Sequence, residues 1–391
     1  MESPGQRGKA PALFLFMGLF SMSASVYSSF VNLYLESLGY NAVGIGALGA
    51  LAAGVSALIQ PLVGVLADRA RSQNRVLLAA VAGQSAVSLL FLLPVRGSIG
   101  VLMSLWCVLQ AGALAIVTAM ILRFLSQTGE TQCYGHVRMA YSLGFALASG
   151  WAGWLLRDHL LWLFPLSAAL GGLALLSAFR LPEVPGGAKA SRGLGFWELV
   201  KQKKLILVLL AGTLVSVSHA FSLSYMPLLF AQSGGNVGLY GLSVFIMAGA
   251  EVPFLLLSGG LFRKYGTLNL VAVAVVAQAL RCFAAFCFPI PAVLLATQAF
   301  HGLSFIVAYT AITRYVAGAV PGAQRATGQM LVSMAVLSAA RVLGNLGGGL
   351  LSGWLGLRWA FLLMGGVALL GGVVWFFARR AANPKTGIRT A

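Results

Sequence analysis

The chain has 391 residues, 59% of them hydrophobic and 9% charged, with 26 Lys+Arg against 8 Asp+Glu. Soluble domains run to about a quarter charged, and disorder needs low hydrophobicity, so both classes are excluded. A spanning helix takes about 20 apolar residues, which leaves room for roughly ten to twelve spans and little else.

Charges, prolines and glycine clusters divide the chain into apolar runs at 11–35, 43–67, 76–95, 98–122, 134–156, 160–179, 205–230, 239–261, 268–288, 291–316, 327–350 and 359–378. The first run is too long for a signal-peptide core and has no small-residue cleavage site, so it is expected to be a span. At a 3.6-residue period it places Ser21, Ser25, Ser28 and Asn32 on one face, and it also carries Tyr27, an aromatic candidate for a cavity wall. A polar stripe in a bilayer faces protein or water. It either lines a pathway or, for Ser21 and Ser25, packs a neighbouring helix. The second run ends in Gly64-Val-Leu-Ala-Asp68-Arg69, a place for close helix approach followed by charges able to pair at the membrane face. The fifth run carries Arg138 about one turn in, close enough to the interface to snorkel.

The one substantial polar stretch, 180–204, separates six runs from six. The expected organisation is an N-terminal half (1–180), a linker loop (181–204) and a C-terminal half (205–391). In the second half His219 falls in the seventh run, Glu251 and Pro253 in the eighth, Arg281 in the ninth, His301, Phe305 and Tyr309 in the tenth, and Arg341 in the eleventh. Glu251 is the one acid well inside a run. An intramembrane carboxylate is a functional-site hypothesis by default, because burial and a nearby cation pull on its proton in opposite senses. It suits a proton-coupling role; the alternative is a static ion pair with Arg138, Arg281 or Arg341. His301 can relay a proton or only hydrogen-bond a neighbouring helix, and for His219 the structural role is expected. Three intramembrane arginines against one acid call for an anion, and a carboxylate substrate held by Arg138 or Arg341 would supply it. Arg281 is expected to be structural. The runs Gly144/Gly150/Gly153 and Gly344/Gly347/Gly348/Gly349 suit close helix crossings.

With the N-terminus inside, twenty basic residues fall on inside segments and three (Arg96, Arg157 and Arg358) on outside loops. That bias places both termini in the cytoplasm and accounts for the net +18 without a nucleic-acid partner. The four cysteines sit in apolar stretches without CxxC or metal spacing. There is no HExxH, no Walker lysine motif and no pair of intramembrane acids, so an intramembrane enzyme is a poor third hypothesis and no cofactor is expected.

Six plus six spans around a basic loop resembles the major facilitator superfamily, and Gly64-x-x-x-Asp68-Arg69 resembles its signature loop. Arg263 stands where the acid of the second copy would be. Gln60-Pro-Leu-Val-Gly-Val-Leu-Ala-Asp68 is similar to the end of helix two in the lactose permease, nucleoside and phenylpropionate proton symporter group. Asn32-Leu-Tyr-Leu-Glu-Ser-Leu-Gly39, Ala250-Glu251-Val-Pro253-Phe254 and His301-Gly302-Leu-Ser-Phe305 are similar to segments of the phenylpropionate-type members. Tyr134-Gly-His-Val-Arg138-Met resembles the sugar-contacting helix-five entry of lactose permease. The resemblance implies an all-α membrane protein with twelve transmembrane helices in two pseudo-symmetric six-helix bundles. It also implies alternating access and a substrate near the midplane.

Departures are clear. Span four reads Val117-Thr-Ala-Met120, without the acid that pairs with the helix-five arginine, and span ten has His301 but no acid. Span five has no proline, unlike the drug/proton antiporters. The expectation is a proton symporter of the cell membrane, acting as a monomer on a small organic solute. A weak acid is expected first and a sugar or nucleoside second, with proton-coupled efflux of an amphipathic compound as the alternative. Glu251 and His301 are the expected coupling residues. Arg138, Arg341, Ser28, Asn32, Tyr27 and Tyr309 are the expected substrate contacts, and Gly64, Asp68 and Arg69 the expected gating residues.

Overall fold

Long apolar runs cannot leave backbone N–H and C=O groups facing hydrocarbon, so each closes its own hydrogen bonds as a helix. In a computed structural model of the chain the first half gives α1 (Lys9–Ser37), α2 (Ala42–Arg69), α3 (Gln73–Leu90), α4 (Ile99–Thr128), α5 (Tyr134–Leu155) and α6 (Leu163–Ala178). The second gives α7 (Lys203–Gln232), α8 (Val237–Gly249), α9 (Glu251–Tyr265), α10 (Thr267–Cys287), α11 (Pro291–Gln298), α12 (Val307–Ala319), α13 (Arg325–Val332), α14 (Ala340–Leu355) and α15 (Leu357–Arg380). The structure describes residues 9–380 except 71, 94–95, 129–133, 182–198, 200 and 321–324. Among the described residues nine helices are long and apolar enough to cross a membrane, and the bent pair Pro291–Gln298 and Gly302–Ala319 makes a tenth. The more polar α3 and α5 are the two remaining expected spans.

Three spans of the second half are interrupted. Span eight breaks at Ala250, between α8 and α9. Pro253 has no N–H to give the carbonyl of Gly249, and its ring crowds that carbonyl. Span ten bends by 42° between α11 and a five-residue π-helical segment, Gly302–Ile306. Span eleven carries a second π-helical segment, Ser333–Ala339, between α13 and α14. Such wide turns inside α-helices occur frequently at functional sites.

The helices group into two compact units, whose bounds differ from the expected halves. Unit 1 comprises residues 1–37, 51–190 and 236–249, and unit 2 comprises 38–50, 191–235 and 250–391. Helix α8 therefore packs within unit 1. It lies against α5, where a Cβ on Gly153 would come within 2.6 Å of the Gly241 Cα. The first turns of α2 pack within unit 2 against α7 and α14. There the Tyr225 hydroxyl donates to the carbonyl of Asn345 at 2.7 Å, and a Cβ on Gly46 would meet that carbonyl at 2.5 Å. Both crossings are too close for any side chain at the glycine.

Candidate functional site

The polar residues of span one divide into two groups. Ser25 donates to the Phe145 carbonyl of α5 at 2.7 Å, Ser23 to the Ser167 carbonyl of α6 at 2.8 Å, and Ser21 to the Gly18 carbonyl. Ser25 and Ser23 tie α1 to α5 and α6 within unit 1, whereas the Ser21 bond stays inside α1. Ser28 is exposed and Asn32 half-buried, so those two residues keep accessible surface. Tyr27 does not share that surface. It is 2% exposed, stacked on Trp106 at 3.8 Å and edge-on to Phe91, and its hydroxyl has no hydrogen-bond partner among the described residues. It packs within the aromatic core of unit 1.

Arg138 is half-buried in unit 1, with its guanidinium over the Tyr141 ring at 5.1 Å. Arg341 is exposed just after the π-helical segment of span eleven. Tyr309 is half-buried and stacks on Phe305 at 6.1 Å. At Gly64 a Cβ would meet nothing within 4 Å, and Arg69, the last residue of α2, is exposed. The Asp68 side chain lies outside the described residues.

Unit 2 gathers the remaining polar groups into one buried line. His301 Nε2 lies 3.1 Å from Glu251 Oε1, with the two side chains 2% and 16% exposed. On the other side of the ring, Nδ1 lies 3.4 Å from the Arg281 Nη1. A guanidinium only donates, so Nδ1 accepts, the proton of the neutral ring sits on Nε2, and Nε2–H donates to the carboxylate. The Arg281 Nη groups also donate to Gln278 Oε1 (3.2 Å), Ser304 Oγ (3.0 Å) and Gln298 Oε1 (2.8 Å). The imidazole is thus clamped between a cation on α10 and a carboxylate on α9.

Gly302 makes this possible. A Cβ there would strike the Ala250 carbonyl and the Phe254 ring, so the start of α9 lies directly against the π-helical segment. That approach carries Glu251, next to Ala250, onto His301, next to Gly302. His219 of α7 completes the cluster. Its ring stacks on Phe305 at 4.3 Å and lies 4.9 Å from that of His301, and its buried Nδ1 has no hydrogen-bond partner among the described residues. Sequence reasoning paired His301 with Glu251 in role but set Arg281 aside. The signal for Arg281 was present in Gln278 and Gln298, two amides inside apolar runs.

Residues 10–363 match the model of the MFS_1 like family. The chain belongs to this family. It is 31% identical over 285 residues to the maltose permease of Geobacillus stearothermophilus, covering 70% of this chain and 69% of that protein. Its fold matches the nucleoside transporter NupG with a TM-score of 0.79 at 17% identity, over 97% of this chain and 100% of the other. It also matches the POT family transporter PepTSo with a TM-score of 0.75 at 12% identity, over 97% and 99%. The chain is a multi-pass membrane transporter of the major facilitator type and not an enzyme.

Proposed function

We propose that this transporter is a proton symporter of the cell membrane, taking up a small polyhydroxylated solute of the sugar class by alternating access. The carrying observation is the Glu251–His301–Arg281 line. With Glu251 ionised, the neutral ring joins α9 to α10 through span ten. A proton on the carboxyl cancels the charge that orients Nε2–H. A proton on Nδ1 sets two donors face to face and expels Arg281 from the ring. Either event changes how three elements are tied, which is what coupling requires. In this reading Ser28, Asn32, Tyr309, Arg138 and Arg341 contact solute, while Gly64, Asp68 and Arg69 gate. The basic segments lie on the cytoplasmic face, with both termini.

The sugar class rests on the likeness to the maltose permease and on the commitment of Arg281 to neutral amides, a hydroxyl and an imidazole. That commitment shrinks the arginine excess that favours an acid. The weak-acid reading retains one specific support, the exposed guanidinium of Arg341. Proteoliposomes loaded with a pH-sensitive dye test the proposal, with maltose and a small monocarboxylate as alternative probes. Symport of maltose acidifies the lumen as the sugar enters. Sugar entry without a pH change, or with alkalinisation, contradicts it.

A further inference from the structure

From Val252 to the C-terminus the chain has eleven Lys and Arg and no Asp or Glu. Four of the basic residues, Arg263, Lys264, Arg379 and Arg380, end α9 and α15 at one face of unit 2 and are exposed there. Asn269, in the first turn of α10, ties these ends together. Its Nδ2 donates to the Tyr265 carbonyl at 3.0 Å, and its Oδ1 accepts from the Arg379 Nη1 at 3.2 Å. Arg380 lies over the Phe376 ring at 4.3 Å. The result is a basic rim whose counter-charge has to come from outside this part of the chain.

Two apolar stripes descend from the rim. On α10 the exposed side chains Val273, Val276 and Leu280 follow Asn269 at helical spacing, on one face. On α15 the exposed Phe377, Phe376 and Val373 lie behind Arg380 in the same way. The helices are in contact between the stripes, where a Cβ on Gly372 would come within 2.8 Å of Val275, so the stripes run side by side. From Asn269 to Leu280 the helix rises about 16 Å at roughly 1.5 Å per residue. One leaflet of a roughly 30 Å hydrocarbon core is about 15 Å deep.

We propose that the ends of α9, α10 and α15 form a binding site for an anionic diacyl phospholipid. The headgroup phosphate sits among Lys264, Arg379 and Arg380, and the two acyl chains lie along the stripes of α10 and α15. Two chains match two stripes, and the length of the α10 stripe matches one leaflet. A negative headgroup supplies the counter-charge that the chain from Val252 onward lacks, and such basic pockets at helix ends suit it. This inference stands apart from the proton-coupling reading, since none of its residues belongs to that site.

The test is native mass spectrometry and thermal unfolding of delipidated full-length protein titrated with phosphatidylglycerol or phosphatidylcholine. Three proteins are compared: wild type, Arg379→Gln/Arg380→Gln, and the control Lys203→Gln/Arg314→Gln, which removes two charges from α7 and α12. The expected result is a retained phosphatidylglycerol and a raised unfolding temperature in the wild type and the control. In the α15 pair, affinity falls about ten- to thirtyfold, from roughly 1 kcal/mol per basic residue. Three results would overturn the proposal: equal binding of the two lipids, equal loss in the control pair, or equal protection by glycerol phosphate without acyl chains.

Discussion

The backbone of Gly302 lies against the carbonyl of Ala250 so closely that no side chain fits between them, and this approach sets Glu251 against His301. Two helix irregularities, the break at Ala250 and the π-helical segment after His301, meet at this point. Gly302→Val would force span ten away from α9. Overpacking of this kind costs about 1–3 kcal/mol. The expected outcome is folded protein of lowered unfolding temperature in which active accumulation is lost. A valine variant that accumulates solute like the wild type would show that the approach is incidental.

Arg281 is 4% exposed and organises two amides, a hydroxyl and an imidazole. Arg281→Met would leave those groups without their donor, and each unsatisfied buried group costs about 1–3 kcal/mol. Stability should fall by several kcal/mol, read as the loss in a denaturant or thermal series. Arg281→Lys keeps the charge but loses the fork that reaches Gln298 and Ser304 together, so it should restore only part.

Tyr27 buries a hydroxyl with no hydrogen-bond partner among the described residues, inside an aromatic stack. Tyr27→Phe removes a desolvated polar atom and keeps the ring. Unfolding temperature should stay level or rise, by up to about 1 kcal/mol in stability, and the KM for solute should not change. A several-fold rise in KM would return Tyr27 to the substrate path.

Tyr225 fixes the first turns of α2 against α14 in unit 2, donating to Asn345 at 2.7 Å and to Ala42 at 3.3 Å. Loss of that hydroxyl in Tyr225→Phe should cost about 1 kcal/mol. Gly46→Leu should cost more, because the space beside Gly46 is filled by the Tyr225 hydroxyl and the Asn345 carbonyl. Thermal unfolding of the two variants in one detergent checks the order, and a reversed order would contradict the crossing described.

The helical class and most span bounds could be read from the sequence, because hydrocarbon leaves a run of twenty apolar residues one backbone solution. Glu251 and His301 stood out for the same reason, as polar groups in a solvent that rejects them. Direction around the helix was less legible. A 3.6-residue period puts Ser25, Ser28 and Asn32 on one side without saying what that side meets; of the two readings left open for Ser25, the structure shows the helix contact, a bond to Phe145. Arg281 was hidden because its partners are 3 residues before it, in Gln278, and 17 to 23 residues after it, in Gln298, His301 and Ser304. Those three share one side of span ten at helical spacing, but no local pattern shows that this side meets α10. The unit bounds were hidden too. Residues 38–50 and 236–249 lie within expected halves by sequence but pack with the opposite set of helices, through glycine contacts that no local pattern reports.

The most direct test of the account is accumulation against exchange in Glu251→Gln. The amide keeps the size of the carboxyl and can still accept from Nε2–H, but it cannot take a proton. Right-side-out vesicles are energised with a proton gradient, and uptake of labelled maltose is followed. Equilibrium exchange is measured separately, without a gradient. The account predicts that accumulation falls to the equilibrium level while exchange continues at a rate near that of the wild type. Accumulation at the wild-type level in Glu251→Gln would contradict it.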